Sequence, residues 1–321
     1  MSRSILAADL GGTNARMAVV GDDGRVLFGV RGSTPESPTP EATTSFLVDL
    51  ADECRRHDDS LDIIGFGLAV PALVDTGSGT ILSSPNLPNL DGFAIGDRLS
   101  ELTGLPVFLE NDATAAAIGE HWLGASRDHD NAINLTLGTG VGGGLIIDGR
   151  PFRGIDGTAG EIGHICVEPF GPACGCGSRG CLEQFASGNA IVRMAGEAAD
   201  GDPGTMLKEL TDPTPHEIFE LAVRGDRAAI RIFDTVGFYL GIALAGLVNV
   251  LNPEVIVIGG GVANSWELFS GQMRVELEKR AFQPPANRVK LVRGALGDDA
   301  GILGVARAAA GANPRPIGNF A

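Results

Sequence analysis

One turn occurs twice in this chain, and it constrains the fold more than any other feature. Asp9-Leu10-Gly11-Gly12-Thr13-Asn14-Ala15-Arg16 ends one apolar run and opens the next. Leu137-Gly138-Thr139-Gly140-Val141-Gly142-Gly143-Gly144 repeats that logic in the second half, with five glycines and a threonine between two strand-like segments. Glycine lets backbone N–H groups come close to an anion, and a threonine hydroxyl adds a donor. Either turn alone serves equally well as an ordinary hairpin. Two of them facing each other would grip a polyphosphate from both sides. The first turn carries neither G-K-[ST] nor G-x-G-x-x-G, so it is not a P-loop or a dinucleotide fingerprint. Asp9, at a strand end, is placed to hold Mg²⁺ directly or through water.

Short apolar runs alternate with helical patterns on both sides of these turns. Strands are expected at 4–10, 16–20, 25–31, 61–70 and 106–109, with a hairpin turn at Gly21-Asp22-Asp23-Gly24. Helices are expected at 39–56, 95–103 and 112–123, the first behind Thr39 and Pro40 and the second stopped by Gly104. The second half offers strands at 132–137, 143–147, 255–258 and 289–292. Its helices are expected at 188–199, 215–223, 226–251, 266–280 and 299–310, and Thr214 with Glu217 spells a capping box. Residues 154–181 read as a loop. This is an α/β chain of two related halves. Its 321 residues allow two domains with a core each, expected at 1–123 and 124–321, with the boundary near 123–131.

Net charge is −16, from 40 acids against 24 bases. Such a chain repels a phosphate backbone, which argues against a nucleic-acid partner. The charge of an anionic substrate must then be met locally, by backbone N–H groups or a metal. The opening residues lack the apolar core and cleavage site of a signal peptide. The longest apolar run, 240–251, contains Asn249 and is too short to span a bilayer. A cytoplasmic protein with no membrane partner is expected.

The cysteines are Cys54, Cys166, Cys174, Cys176 and Cys181. In a reducing compartment a tight cluster points to metal rather than disulfides. His164, Cys174, Cys176 and Cys181, spaced H-x9-C-x-C-x4-C in a glycine-rich loop, suit a tetrahedral, structural Zn²⁺. Cys54 and Cys166 are expected as small core residues. Gly259-Gly260-Gly261-Val262 follows an apolar strand; it is either a simple strand-to-helix turn or a flat surface for a base or ribose. Asp112, behind Glu110-Asn111, is either a helix cap or a general base set between the two phosphate-type turns.

These motifs together resemble the ROK family, the repressors, open reading frames and sugar kinases of the actin-like ATPase superfamily. The resemblance covers nearly the whole chain. It rests on D-x-G-G-T-x-x-R, the Glu110-Asn111-Asp112 segment, G-T-G-x-G-G-G, and G-E-x-G-H followed by C-x-C-G-x-x-G-C-L-E from Gly160 to Glu183. Repressors of that family carry an N-terminal helix-turn-helix; this chain opens on the phosphate turn, which aligns it with kinases of the bacterial glucokinase type. The implied fold is a two-domain actin-like ATPase (ribonuclease-H-like) fold with a cleft, its last helix, about 299–310, returning to the N-terminal domain. The implied activity is ATP-dependent phosphorylation of the 6-hydroxyl of glucose, with Asp112 as base.

The resemblance further implies that Asn111, Glu161, His164 and Glu183 hydrogen-bond the sugar, with Asn86 as a weaker candidate. His164 would then serve zinc with one ring nitrogen and the sugar with the other. ATP would rest on Asp9, Gly11, Gly12, Thr13, Gly138, Thr139 and Gly140, with Gly260 and Gly261 nearby, and with Mg²⁺. A homo-oligomer, dimer or tetramer, is expected. Position 14 is Asn where many members carry Lys. The alternatives are a kinase for N-acetylmannosamine, N-acetylglucosamine, fructose or allose, a polyphosphate-using kinase, and a sugar-responsive regulator without kinase activity.

Overall fold

The computed structural model describes residues 3–35, 39–58 and 60–311. Met1 and Ser2, which begin the segment read for a leader, and residues 312–321, which end the expected second domain, lie outside the described residues. The first half runs β1 (Arg3–Leu10), β2 (Asn14–Gly21), β3 (Val26–Ser33), α1 (Pro40–His57) and β4 (Asp62–Val70). Then come β5 (Leu73–Asp75), β6 (Thr80–Ser83), α2 (Ile95–Thr103), β7 (Val107–Asn111) and α3 (Asp112–Leu123). The second half begins with β8 (Ala132–Leu137), β9 (Val141–Ile147) and β10 (Arg150–Pro151). After a long loop it continues through α4 (Glu183–Ala186), α5 (Gly188–Gly201), α6 (Pro215–Val223) and α7 (Arg227–Leu251). It closes with β11 (Val255–Gly259), α8 (Trp266–Arg280), α9 (Gln283–Arg288), β12 (Lys290–Arg293) and α10 (Ala300–Gly311).

Among the described residues the strands form two five-stranded sheets of one topology, β3-β2-β1-β4-β7 and β10-β9-β8-β11-β12. In each, an antiparallel trio leads into parallel partners on the far side. The central parallel strand β11 is buried on both faces and so reads as an unbroken apolar run, Val255–Gly259. Caps fix the helix ends that the sequence marks. Thr39 Oγ1 accepts from the Ala42 N–H at 3.2 Å, and Gly104 stops α2 at φ +69°.

α3 and α10 lie between the sheets. α10 packs on the first sheet through Ile302, Leu303 and Val305, while α3 packs on the second through Ala117 and Ile118. The two helices cross at backbone contact, because a Cβ at Gly119 or Gly304 would strike Ala300 or Ala115. Glu120, only 3% exposed, accepts from the N–H groups of Ala125, Ala295 and Leu296 and so ties both chain crossings between the sheets.

Four features depart from the sequence reading. β5 and β6 form a small hairpin that the sequence pattern does not announce. β9 starts at Val141, two residues before the expected strand, because Val141 and Gly142 already pair with Leu137 and Thr136 of β8. Cys166 is exposed and not a core residue, because it lies on the loop beside Cys181. α7 as a whole is long and apolar enough to cross a membrane by length and composition. In the fold it is the central helix beneath the second sheet, burying Phe233, Leu240 and Leu244 against a shared core.

Candidate active site

The two sheets point the ends of β1, β4, β7 and β8 into one cleft. A cavity of about 610 Å³ opens there. The first turn contributes Asp9, Gly11, Gly12 and Thr13 to its wall, and the second contributes Gly138, Thr139 and Gly140. The facing turns expected from the sequence therefore meet across a single space. Asn86 lines the same cavity, its carbonyl lying beside Gly12. No lysine or arginine lines it among the described residues.

β7 delivers Asn111 and Asp112 to the floor. The N-cap of α3 is Asn111: its Oδ1 accepts from the Thr114 N–H at 3.0 Å, and its Nδ2 donates to the Ala72 carbonyl at 3.2 Å. Asp112 is thus free of the capping role. Its carboxyl is pushed up to about 7, first by burial and then by the negative charge of Asp9; Glu161 adds to the rise and the Ala113 N–H opposes it. Asp9 is also raised by burial, against the opposing pull of Arg16. Arg16 itself is held by the Asp298 carbonyl and the Asp299 carboxylate, each at 2.6 Å, at the start of α10.

Glu161 and His164 enter the cavity from the loop after β10, and Glu183 enters from the start of α4. Burial raises Glu161, and His164 opposes the rise. Glu183 Oε2 accepts from the Val141 N–H at 3.0 Å, which joins the sugar side of the expected site to the second turn.

The ligand atoms of His164, Cys174, Cys176 and Cys181 all lie within 4.8 Å of one another. His164 Nδ1 is 3.6 Å from Cys174 Sγ, and Cys176 Sγ is 3.7 Å from Cys181 Sγ. Tetrahedral zinc, with Zn–S of about 2.3 Å and Zn–N of about 2.0 Å, sets such pairs about 3.5–3.8 Å apart. The residues fit the ion. The other ring nitrogen, Nε2, lies 3.8 Å from Glu161 Oε2, and both residues line the cavity. Burial and the neighbouring thiols push Cys181 up to about 12 in the absence of a cation.

A second cavity, of about 660 Å³, shares Gly138 and Thr139 with the first. Ile191, Val192, Pro215, Phe219 and Val262 make it apolar, and Asn189, His216 and Asn264 give it a polar margin. Gly261 lines it. Gly260 stands behind it, at φ +82° against the end of β8. Sequence reasoning missed this cavity apart from the glycine turn, since Thr214 and Pro215 read only as a helix start.

The ROK family pattern matches residues 5–311. The glucokinase of Thermotoga maritima is 36% identical over 94% of this chain and 96% of its own length. A ROK family glucokinase from Streptomyces griseus, solved with glucose and AMPPNP, is 34% identical and covers 96% of this chain and 100% of its own, with a TM-score of 0.83. The xylose repressor of Bacillus subtilis is 33% identical over 84% of this chain and 67% of its own length. With its duplicated sheet and actin-like ATPase fold, and with residues 5–311 matched, the chain belongs to the ROK family.

Proposed function

We propose that the chain is an ATP-dependent hexose kinase that phosphorylates the 6-hydroxyl of glucose. One observation carries this reading: a half-buried carboxylate, Asp112, pushed up to about 7, at the floor of a cleft between two glycine turns. A general base works best with a pKa near the working pH. Asp112 would accept the proton of the attacking hydroxyl as it is directed at the γ-phosphorus.

Phosphoryl transfer depends on positioning and charge stabilisation more than on covalent catalysis. Thr13 and Thr139, with the N–H groups of the two turns, would hold the phosphates. Among the described residues no lysine or arginine lines the cavity to meet them, so Mg²⁺ near Asp9 would neutralise the remaining charge. The apolar second cavity would take the base, and Gly138 and Thr139 at the junction place the triphosphate between the two spaces. Asn111 has one free amide hydrogen for the sugar, and Glu161, Glu183, His164 and Asn86 would complete its hydrogen bonds. Zinc on His164 Nδ1 would fix the ring so that Nε2 faces the sugar.

A panel of glucose, fructose, allose and N-acetylated amino sugars with ATP, coupled to ADP release, tests the reading. Glucose should give the highest kcat/KM, and a preference for another hexose would move the assignment within the kinases. The repressor similarity supports a second reading, a sugar-responsive regulator. A sugar-dependent DNA shift without ADP release would favour it, against the −16 charge.

A further inference from the structure

The loop that carries Glu161 and His164 has two anchors, and only one of them is the cysteine cluster. At its start, Arg153 reaches across to β7. Its Nε and Nη2 both donate to Glu110 Oε2, at 2.8 and 2.6 Å, while Glu110 Oε1 accepts from the Asn111 N–H at 3.1 Å. One carboxylate therefore joins the loop to the backbone immediately before Asp112. Glu110 is 1% exposed. The guanidinium lies over the Phe108 ring, 5.9 Å from its centroid.

The loop between is drawn tight. The Arg153 carbonyl accepts from the Ala159 N–H at 3.2 Å, Gly157 lies against the Val74 carbonyl on β5, and Gly160 lies against Gly143 on β9. Glu161 and His164 follow directly.

We propose that the Glu110–Arg153 pair is a positioning device that sets the sugar-facing part of this loop against the strand end that carries Asp112. The inference deepens the kinase reading and rests on it for the identity of the ligand. A buried ion pair is a poor source of stability, because desolvation offsets most of its attraction. Burial holds Glu110 above its usual range even with Arg153 beside it. An apolar pair would pack the two segments as well, but it would not fix their register. The paired hydrogen bonds on Oε2 do, and misplacing a substrate group by about 1 Å can cost on the order of 10²-fold in rate.

The test uses the full chain with its zinc and the variants Glu110→Gln, Arg153→Gln and Arg153→Lys. The two Gln variants should lower kcat/KM for the sugar by about 10–100-fold. KM for ATP should stay within about twofold, because the phosphate turns lie off this loop. Arg153→Lys, which keeps the charge but loses the chelating geometry, should fall between them and wild type. Amide exchange over 152–164 should accelerate in both Gln variants while zinc content holds. Unchanged exchange in that loop overturns the inference, with or without a kinetic effect. Equal damage to both KM values with faster exchange throughout the chain also overturns it, in favour of general destabilisation. Wild-type protein that transfers phosphate to no hexose would sink the kinase reading instead, and the exchange result still decides the loop's anchoring.

Discussion

The cysteine loop and the carboxylate corner sit on either side of one cleft and manage charge in opposite ways. In the loop, four ligand atoms from residues 164–181 converge within 4.8 Å, so one bound cation would satisfy all of them and lock the backbone. At the corner, Asp9, Asp112 and Glu161 come from three separate elements; burial raises all three, and the charges of Asp9 and Glu161 raise Asp112 further, while Arg16 opposes the rise at Asp9 and His164 opposes it at Glu161. On the proposed reading the loop serves rigidity and the corner reactivity. A proton held near neutral pH is useful at the corner and would be useless in the loop.

The largest effect should come from removing the reactive charge. Asp112→Asn should lower turnover by about 10²–10⁴-fold while glucose binding, measured by calorimetry, persists. Retention of more than about a tenth of the activity would return Asp112 to a passive role. The same variant should be more heat-stable at high pH. Wild-type Asp112 binds a proton in the folded state up to about 7 and in the unfolded chain only up to 3.8. Wild-type stability therefore falls as pH rises through that window, and Asn escapes the loss. Melting curves of the two proteins should converge towards pH 4 and separate at pH 8.

Next in size is damage to the rigid side. Cys176→Ala or Cys181→Ala should raise sugar KM by about 10–100-fold and leave KM for ATP nearly unchanged. Elemental analysis should find one zinc per wild-type chain and less in the variants. An unchanged sugar KM would detach the metal site from the sugar. The smallest effect belongs to the second cavity. Phe219→Ala should raise KM for ATP by roughly 3–10-fold, the loss of one aromatic contact, and spare sugar KM. An effect on sugar instead of ATP would reverse the assignment of the two spaces.

The two regions also differ in how much of them the sequence discloses. The four metal ligands lie within one loop, so their spacing alone brings them together. The two glycine turns were legible because each interrupts an apolar strand. Arg153 was not, since its partner Glu110 lies 43 residues away and nothing near it marks a pair. Strands of three and four residues, as in β5 and β6, are too short to show a period. Gly142 imitates a turn residue because the space it yields to Ala113 of α3 exists only in three dimensions. The second cavity needs α5, α6 and the turn after β11 side by side, which only the tertiary fold provides.

The account stands most directly on the proton at Asp112, and the pH profile of kcat/KM for the sugar reads that proton. It should fall roughly tenfold per pH unit on the acid side of about pH 7 and level off above it, as Asp112 loses its proton. A profile that stays flat from about pH 5.5 to 8, or that persists unchanged in Asp112→Asn, would contradict Asp112 as the base.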